Sequence, residues 1–469
     1  MGNRNRNRNR NRSKQKRPRL SNAPPEITSH IWSLLQTSDL RNVCLASKSL
    51  RRSAESTLYS AITLKWDQEL EPRIIPLLDT LLRRPELFDC IHALELDGDE
   101  FVGDEDPPRA LTPSRSAVAS FTQAIRKLNT PITGLWVRKL KAGRMDAFAA
   151  LLIARLSRIR RLTITGDYIR RLDLVGKILQ LKVGGQLPKF EQLRRLVYYH
   201  GLDYYAPAPP HRFNEVMGLF HLPTVTHLAA WMGNPQGGAF SWPSGKPDLG
   251  HLTSLDIEGS RAATMAEILP LARNLTSLSW RWEYAPWTDD PLMTRNLDLD
   301  EVMAALSHTR DSLERLRFRI TIRTTMHGGE DRMNVSGSFS GLANFDRISH
   351  LDVPLVCLAE FGPEPRPLSR HIPRSVETLS LSTGMFFNGA VEWISGYDGP
   401  ATQDLLQLLR GLADTRPTSL PRLRCVEIVD EDDDCLENKE LDKMLGEAPL
   451  DIVVEVVRSS PPLWDLSTE

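Results

Sequence analysis

Three arginines at alternate positions are the residues whose type and spacing most directly suggest chemistry. Arg315, Arg317 and Arg319 would lie on one face of a β-strand, because successive side chains of a strand point to opposite faces. Like charges that stand side by side repel each other unless an anion balances them. The row therefore predicts either a binding surface for an acidic or phosphorylated partner, or ion pairs with carboxylates of the same chain.

Sequence signals for catalysis are weak. Residues 337–341 have the outline of a nucleophile elbow, but the central residue is Phe339, which has no hydroxyl to attack a substrate. The chain has no phosphate-binding glycine loop and no HExxH motif. Its five cysteines form no CxxC pair and are predicted to be reduced thiols: Cys44, Cys90, Cys357, Cys425 and Cys435. We therefore expect no catalytic residues, no metal, no cofactor and no enzymatic activity.

Short amphipathic helices are predicted near the beginning of the chain. Their apolar residues recur at helical spacing in three groups: Ile27, Ile31, Leu34 and Leu35; Leu40, Val43 and Cys44; Leu50, Ala54 and Leu58. Pro25 and Glu26 suit the first turn of the first helix. Three helices within about 40 residues bury too little surface to cover one another completely. Some of these apolar groups are therefore expected to face another domain or another protein.

This segment resembles the F-box. Matching groups follow in the family's order: Pro25-Glu26-Ile27, Ile31, Leu34-Leu35, Ser38-Asp39-Leu40, Cys44-Leu45-Ala46-Ser47-Lys48 and Leu50-Arg51. Ala23 departs from the pattern, which often has leucine there. The resemblance covers residues 20–64, includes an ending typical of fungal F-box proteins, and implies docking on a Skp-type adaptor and, through it, a cullin. The contacts that it implies are Pro25, Ile27, Ile31, Leu34, Leu35, Leu40, Val43, Cys44 and Lys48. The alternative is a helical cap whose apolar groups all pack inward.

A six-residue pattern, apolar-x-x-Leu-x-apolar, recurs through the rest of the chain. Its eleven copies have central residues 23 to 47 positions apart: Leu94, Leu135, Leu162, Leu196, Leu228, Leu255, Leu278, Leu316, Leu351, Leu379 and Val426. Such alternation predicts a strand with one buried face, and helical patterns lie between several copies. A strand followed by a helix at this period is typical of a solenoid.

The repeated pattern resembles the leucine-rich repeat. The asparagine expected after the second leucine is missing, and Gly233, Ser260 and Glu283 are among its replacements. The resemblance implies an α/β fold: a short helical F-box followed by an irregular solenoid, with parallel strands on a concave face and helices or loops outside. Target-binding candidates on that face are Trp136, Tyr199, Trp231, Arg315, Arg317 and Arg319, which are of types enriched in binding hot spots.

The first 19 residues form a basic tail that is predicted to be disordered. Residues 4–19 contain nine basic and no acidic residues, although the whole chain is neutral, with 59 of each kind. Lys16, Arg17 and Arg19 have the spacing of a nuclear-import signal, and the tail is also the one segment expected to contact nucleic acid. A solvated tail without a partner is the alternative.

The sequence predicts four segments: a tail at 1–19, an F-box at 20–64, a repeat region at 65–458 and a C-terminal tail at 459–469. Its longest apolar run has eight residues, against about 20 needed to cross a bilayer, so no membrane association is expected. The basic first residues also argue against a secretory signal.

We expect a substrate-recognition subunit of a Skp–cullin–F-box ubiquitin ligase, binding an unknown target in the nucleus, the cytoplasm or both. The alternative is a nuclear scaffold that uses the arginine-rich tail.

Overall fold

The computed structural model of the chain describes thirteen stretches of residues. They are 20, 23–66, 73–98, 110–170, 173–199, 212–235, 239–285, 292–322, 333–359, 368–383, 391–392, 402–430 and 453–458. The basic tail, the import signal Lys16, Arg17 and Arg19, the acidic residues 431–434, Cys435 and the C-terminal tail lie outside the described residues.

Three helices at the predicted positions begin the described chain: α1 (Pro25–Ser33), α2 (Thr37–Ala46) and α3 (Lys48–Leu58). Proline at the first position of α1 and the Ser47 hydroxyl at the start of α3, which accepts from the Leu50 amide at 3.1 Å, define two of the helix beginnings. The three helices share a small apolar core around Trp32, Leu40 and Ala54, distinct from the main core of the chain.

A parallel sheet of twelve strands organises the rest of the fold. Every strand pairs in parallel with the next one in chain order, apart from three short strands that form a separate sheet. The large sheet contains β1 (Ala61–Trp66), β2 (Ala93–Gly98), β3 (Arg161–Thr165), β4 (Arg195–Tyr199), β5 (His227–Trp231), β6 (Ser254–Glu258), β7 (Ser277–Tyr284), β9 (Arg315–Ile322), β11 (His350–Pro354), β12 (Thr378–Ser382), β14 (Cys425–Asp430) and β15 (Val453–Arg458). The small sheet pairs β8 (Asn296–Asp298), β10 (Met333–Ser336) and β13 (Val391–Glu392). The predicted α/β class with parallel strands is confirmed.

The central residues of the sequence pattern set the register of the large sheet. Leu162 pairs with Leu196, Leu196 with Leu228, and Leu228 with Leu255, and the same correspondence continues to the pair Leu379–Val426. These side chains are buried on one face of the sheet, where they join the main apolar core. A shift by one residue would turn every leucine to the other face, so burial of this row fixes the pairing.

Helices pack against the buried face of the sheet and complete the main core. They are α4 (Ile74–Arg83), α5 (Arg115–Leu128), α6 (Thr133–Lys141), α7 (Met145–Arg155), α8 (Asp167–Arg170), α9 (Asp173–Val183), α10 (Arg212–Leu219), α11 (Ala262–Ile268), α12 (Leu299–Leu306), α13 (Leu355–Leu358) and α14 (Thr402–Ser419). Helix α7 is buried from residue 145 to 154, since it packs against helices α4, α6 and α9. Between several pairs of strands, short 3₁₀ turns follow or replace the helix, for example Leu269–Leu271 after α11.

One of the eleven predicted strands is wrong. The copy of the pattern at residues 132–137 lies in helix α6, and ten of the eleven copies form strands. Leu135 and Val137 are only half-buried there, while Trp136 and Leu140 are buried at the i, i+4 spacing of a helix face. A six-residue pattern is short enough to fit both the two-residue period of a strand and the 3.6-residue period of a helix. Here the packing of Trp136 against α7 favours the helix.

Hydroxyl side chains bond the backbone of the preceding repeat at both ends of several strands. The hydroxyls of Thr226, Thr253 and Thr276, two residues before the central leucines, donate at 3.1 to 3.2 Å to the carbonyl of the residue just before the preceding strand. After the strands, the Ser260 hydroxyl donates to the Gly233 carbonyl at 3.0 Å, and Asn234 bonds the backbone of the next turn. The bonds of Ser260 and Asn234 satisfy backbone groups in the turns where an asparagine ladder would otherwise lie.

Candidate functional site

Exposed large apolar side chains are concentrated at the beginning of the described chain. Over all the described residues there are four of them, all between residues 20 and 45: Leu20, Ile27, Leu34 and Leu45, with exposed fractions of 43, 54, 73 and 75 %. We call these four residues the exposed apolar set. Single exposed leucines are common in soluble proteins, but a concentration in one small unit indicates an interaction surface.

Helix α1 is apolar on two sides, and this arrangement produces the exposure. Trp32 is 1 % exposed and lies in the three-helix core, one helical turn after the buried Thr28. Ile27 and Leu34, seven residues apart, lie on a neighbouring side of the helix that the core does not cover. The exposed apolar side chains are therefore not needed to close the three-helix core.

The predicted adaptor contacts fall into three groups in the structure. Pro25, Ile27, Leu34 and Lys48 are exposed; Ile31, Leu35, Val43 and Cys44 are half-buried beside the three-helix core; Leu40 is 5 % exposed inside it. Leu40 therefore supports the helices from within and offers little surface to a partner. Leu45 was absent from the predicted contacts and is the most exposed of the apolar set. Its place beside Cys44 in the F-box-like motif was the available signal.

A row of polar and aromatic side chains crosses the face of the large sheet opposite the leucines. Strand register aligns Trp231, Glu258, Arg281 and Arg319 on β5, β6, β7 and β9, and Tyr199 on β4 stands beside them. Arg281 donates to the Glu258 carboxylate at 2.8 Å and to the Tyr199 hydroxyl at 3.4 Å. The Tyr199 hydroxyl also donates to Glu258, across the intervening strand. Of the predicted target-binding residues, Tyr199, Trp231 and Arg319 share this row, but the carboxylate of Glu258 from the same chain stands among them.

The three arginines of β9 differ in their surroundings. Arg317 and Arg319 donate to the same oxygen of Asp352 at 2.9 and 2.7 Å, and Arg319 is buried. Arg315 is exposed at the start of the strand. Two of the three therefore form the intramolecular ion pairs that the sequence left open as an alternative.

Trp136 and Trp231 are both unavailable to a partner. Trp136 is buried in α6, and its indole nitrogen donates to the Ala147 carbonyl at 2.9 Å, which corrects its predicted place on the sheet surface. Trp231 is on the predicted strand but is covered by Ala285 and Met293, and its indole nitrogen donates to Glu283 at 3.0 Å. Both fill the protein's own cores, because a large ring buries more surface than any other side chain.

Electrostatic coupling on the sheet face is consistent with a structural network. Burial and the neighbouring Glu258 carboxylate raise the pKa of Tyr199 well above its ordinary value. Burial also raises the pKa of Asp256, and a hydrogen bond from Ser279 opposes that rise. Tyr199 therefore stays protonated and donates to Glu258, a role that holds strands together.

The described residues include neither a cluster of metal ligands nor a helix that could span a membrane. No described group of three or more histidine, cysteine or acidic side chains is placed to hold a metal ion. No helix in the described stretches is both long enough and apolar enough to span a bilayer. The arrangement can bind a partner through apolar contact at α1 and α2, and through charge where cations remain exposed.

A comparison with known proteins finds no protein-family model and no curated sequence that matches the chain. The family resemblances described above therefore rest on this chain's own residues.

Proposed function

We propose that this protein is the substrate-recognition subunit of a Skp–cullin–F-box ubiquitin ligase. In this proposal the helices α1 to α3 dock on the Skp-type adaptor, and the repeat region holds a target protein. The chain contributes proximity and orientation, while the ubiquitin-charged enzyme supplies the chemistry.

One observation carries the proposal: the four exposed large apolar side chains of the described residues all lie within the F-box-like segment, residues 20–64. Fully burying a large aliphatic side chain is worth about 1.5–3 kcal/mol, so three or four of them can anchor a complex. The alternative of a helical cap requires these apolar side chains to pack inward. Exposure of Ile27, Leu34 and Leu45 argues against that alternative.

The repeat region supports the second half of the proposal. Strands in chain order, all parallel and aligned through one leucine row, are what a leucine-rich-repeat solenoid requires. In such an array each repeat packs against its two neighbours, and together the repeats form one long continuous surface. A target protein can bind this surface without a conformational change in the repeats. We propose that the target is held on this body.

The test is co-purification of the full chain with a Skp-type adaptor, comparing wild type with Leu34→Asp and Leu45→Asp. Each substitution places a charge at an exposed position, so the circular-dichroism spectrum should not change, while adaptor binding should weaken at least 100-fold. Leu35→Asp is less suitable because Leu35 is half-buried beside Trp32 and the substitution would disturb the core.

Ser29→Asp is the matched control. Ser29 is exposed on α1, about 200° around the helix axis from Ile27, so the same charge is added away from the apolar side chains. It should bind the adaptor like wild type. Retention of binding by both leucine variants, or no binding by wild type, would count against the proposal.

A further inference from the structure

A long stretch around helices α5 and α6 is basic and has no acidic residue. Between Asp106 and Asp146 the sequence contains eight lysines and arginines and no aspartate or glutamate. The chain as a whole is neutral, so this is a strong local excess of positive charge. Seven of these eight residues lie in the described stretch 110–146, on or next to helices α5 and α6, whereas the basic tail is predicted to be disordered.

Part of this charge lines a groove along the exposed side of α5. The groove has a volume of about 650 Å³ and is bounded by Arg115, Val118, Ala119, Thr122, Gln123, Arg126 and Lys127 of α5 and by Lys141 of α6. Its four cationic residues are exposed. None of its lining residues is acidic, and none of the four cations forms an ion pair with a described carboxylate.

A neighbouring lysine shows that cations here do pair when a carboxylate is within reach. Lys139 lies in the same helix as Lys141 and donates to Asp146 at 2.6 Å and to Asp173 at 3.2 Å. Among the described residues no carboxylate pairs with the groove cations, and an anionic ligand would supply the balancing charge.

The floor of the groove offers a second kind of contact. Val118 and Ala119 are apolar, and Thr122 is 8 % exposed with a hydroxyl that has no hydrogen-bond partner. A buried polar group without a partner is unfavourable unless a ligand or water satisfies it. A ligand with both carboxylates and small apolar or amide groups fits this floor.

A favourable interaction with the helix dipole explains only some of the cations that line the groove. Arg126 and Lys127 lie in the last turn of α5, where the helix dipole favours positive charge. Arg115 is the first residue of α5, where the dipole disfavours it. Arg115 and Arg126 are eleven residues apart, which is about 16 Å along the helix axis.

We infer that this groove binds an acidic segment of a partner polypeptide in an extended conformation. Five residues of extended chain span about 16 Å, so carboxylates that far apart would reach Arg115 at one end and Arg126, Lys127 and Lys141 at the other. A polynucleotide fits less well. The middle of the groove has no cation to meet a phosphate at every nucleotide, and no aromatic side chain lines it for base stacking. The inference does not depend on adaptor docking by α1 and α2.

The experiment measures binding of fluorescein-labelled octapeptides to the full-length chain by fluorescence anisotropy at about 150 mM salt. One peptide has three aspartates, four small apolar residues and a glutamate; a second has this order reversed; a third has asparagine and glutamine in place of the acidic residues. The variant Arg126→Gln/Lys127→Gln should bind the better acidic peptide at least tenfold more weakly than wild type. The uncharged peptide should not bind.

Arg138→Gln/Arg144→Gln is the matched control, since both residues are exposed in the same basic stretch but do not line the groove. It removes the same charge and should change the affinity less than twofold. The basic tail is the same in all variants, so differences between them report on the folded groove. Leu34→Asp should bind the peptide like wild type even where adaptor binding is lost.

Any of three results with the peptides would overturn the inference. They are equal peptide affinity of wild type and the groove variant, an equal loss in the control variant, or no saturable binding of either acidic peptide. Tighter binding of a single-stranded 12-nucleotide RNA or DNA, lost in the groove variant and kept in the control, would overturn it in favour of a nucleic-acid partner.

Discussion

The guanidinium of Arg84 donates two hydrogen bonds to the carboxylate of Glu55, at 2.5 and 2.8 Å, one to each oxygen. Glu55 lies on α3, while Arg84 follows α4 at the beginning of the main fold. The bidentate pair therefore links the three-helix unit, which has a core of its own, to the body that carries the repeats. In the proposed complex it would fix the orientation between the adaptor and the bound target.

Glu55→Gln is expected to lower stability at neutral pH by about 1 kcal/mol, the upper end for an accessible pair, because a bidentate charged bond is replaced by a weaker neutral one. Hydrogen bonding to Arg84 lowers the pKa of Glu55. In the unfolded chain the pKa of a glutamate is near 4.3, and in the folded chain that of Glu55 is lower. At pH values above the unfolded pKa the ionised carboxylate therefore stabilises the fold, and this stabilisation is lost as the pH falls through the folded pKa. The difference in free energy of unfolding between wild type and Glu55→Gln, measured by urea titration, should therefore become smaller below about pH 4.

Glu86→Gln is the control for this pair. Glu86 also binds Arg84, at 3.0 Å, but its side chain is 63 % exposed. The same charge change there should have a smaller effect than Glu55→Gln. Equal effects at both positions would show that the link through Glu55 has no special role.

Trp32→Ala is expected to unfold the three-helix unit. Trp32 fills the core formed with Leu40 and Ala54, and removing a buried aromatic ring costs about 3–5 kcal/mol. Adaptor binding should be lost together with helical signal, whereas Leu34→Asp should lose binding with its spectrum intact. Trp32→Phe should keep most of the helical signal. Adaptor binding by Trp32→Ala at wild-type strength would mean that the folded unit is not required.

Asp352→Asn is expected to destabilise the large sheet by about 3 kcal/mol. Arg317 and Arg319 share one oxygen of this carboxylate, and Asp352 is buried. The substitution keeps the shape and removes the charge that balances both guanidinium groups. Thermal unfolding measures the effect. Asp311→Asn is the control, because that side chain is 93 % exposed beside Arg310, and an equal loss there would disprove the shared-carboxylate explanation.

Lys182→Met is expected to remove a pH dependence of stability between about 7 and 10. The Lys182 amino group is buried, donates to the Leu156 and Pro188 carbonyls at 2.6 and 2.7 Å, and stands over the Phe190 ring. Burial lowers the pKa of Lys182 to about 7. A neutral amine still has two N–H donors for the two carbonyls, so both bonds survive deprotonation.

The sign follows from proton binding. Between about pH 7 and 10 the unfolded chain keeps this proton and the folded chain does not, so wild-type stability should rise with pH, by at most about 1.4 kcal/mol per unit. The variant should show a flatter profile in denaturant titrations at pH 7, 8.5 and 10. Parallel profiles would mean that Lys182 remains charged in the fold.

Local sequence patterns determined the elements of this protein. Apolar spacing located the three first helices, and the alternation around central leucines located ten of the strands and their register, because burial of one face allows a single alignment. The F-box-like motif also includes the exposed Ile27, on α1, and Leu34, the residue that follows α1. At residues 132–137 the same six-residue pattern failed, since a short apolar run fits a helix as well as a strand.

Only the tertiary structure decided which side chains face solvent. From the sequence, Ile27 and Trp32 are both apolar residues of one helix, yet packing of α1 on α2 and α3 buries the tryptophan and leaves the isoleucine exposed. The arginine row of β9 is compatible with a bound anion or with an ion pair inside the chain, and for Arg317 and Arg319 only the position of Asp352, more than 30 residues away, decides for the ion pair. Arg126 and Lys141 form one groove only because two helices meet. Exposure and charge balance depend on neighbours distant in the chain, and spacing along a single element does not contain them.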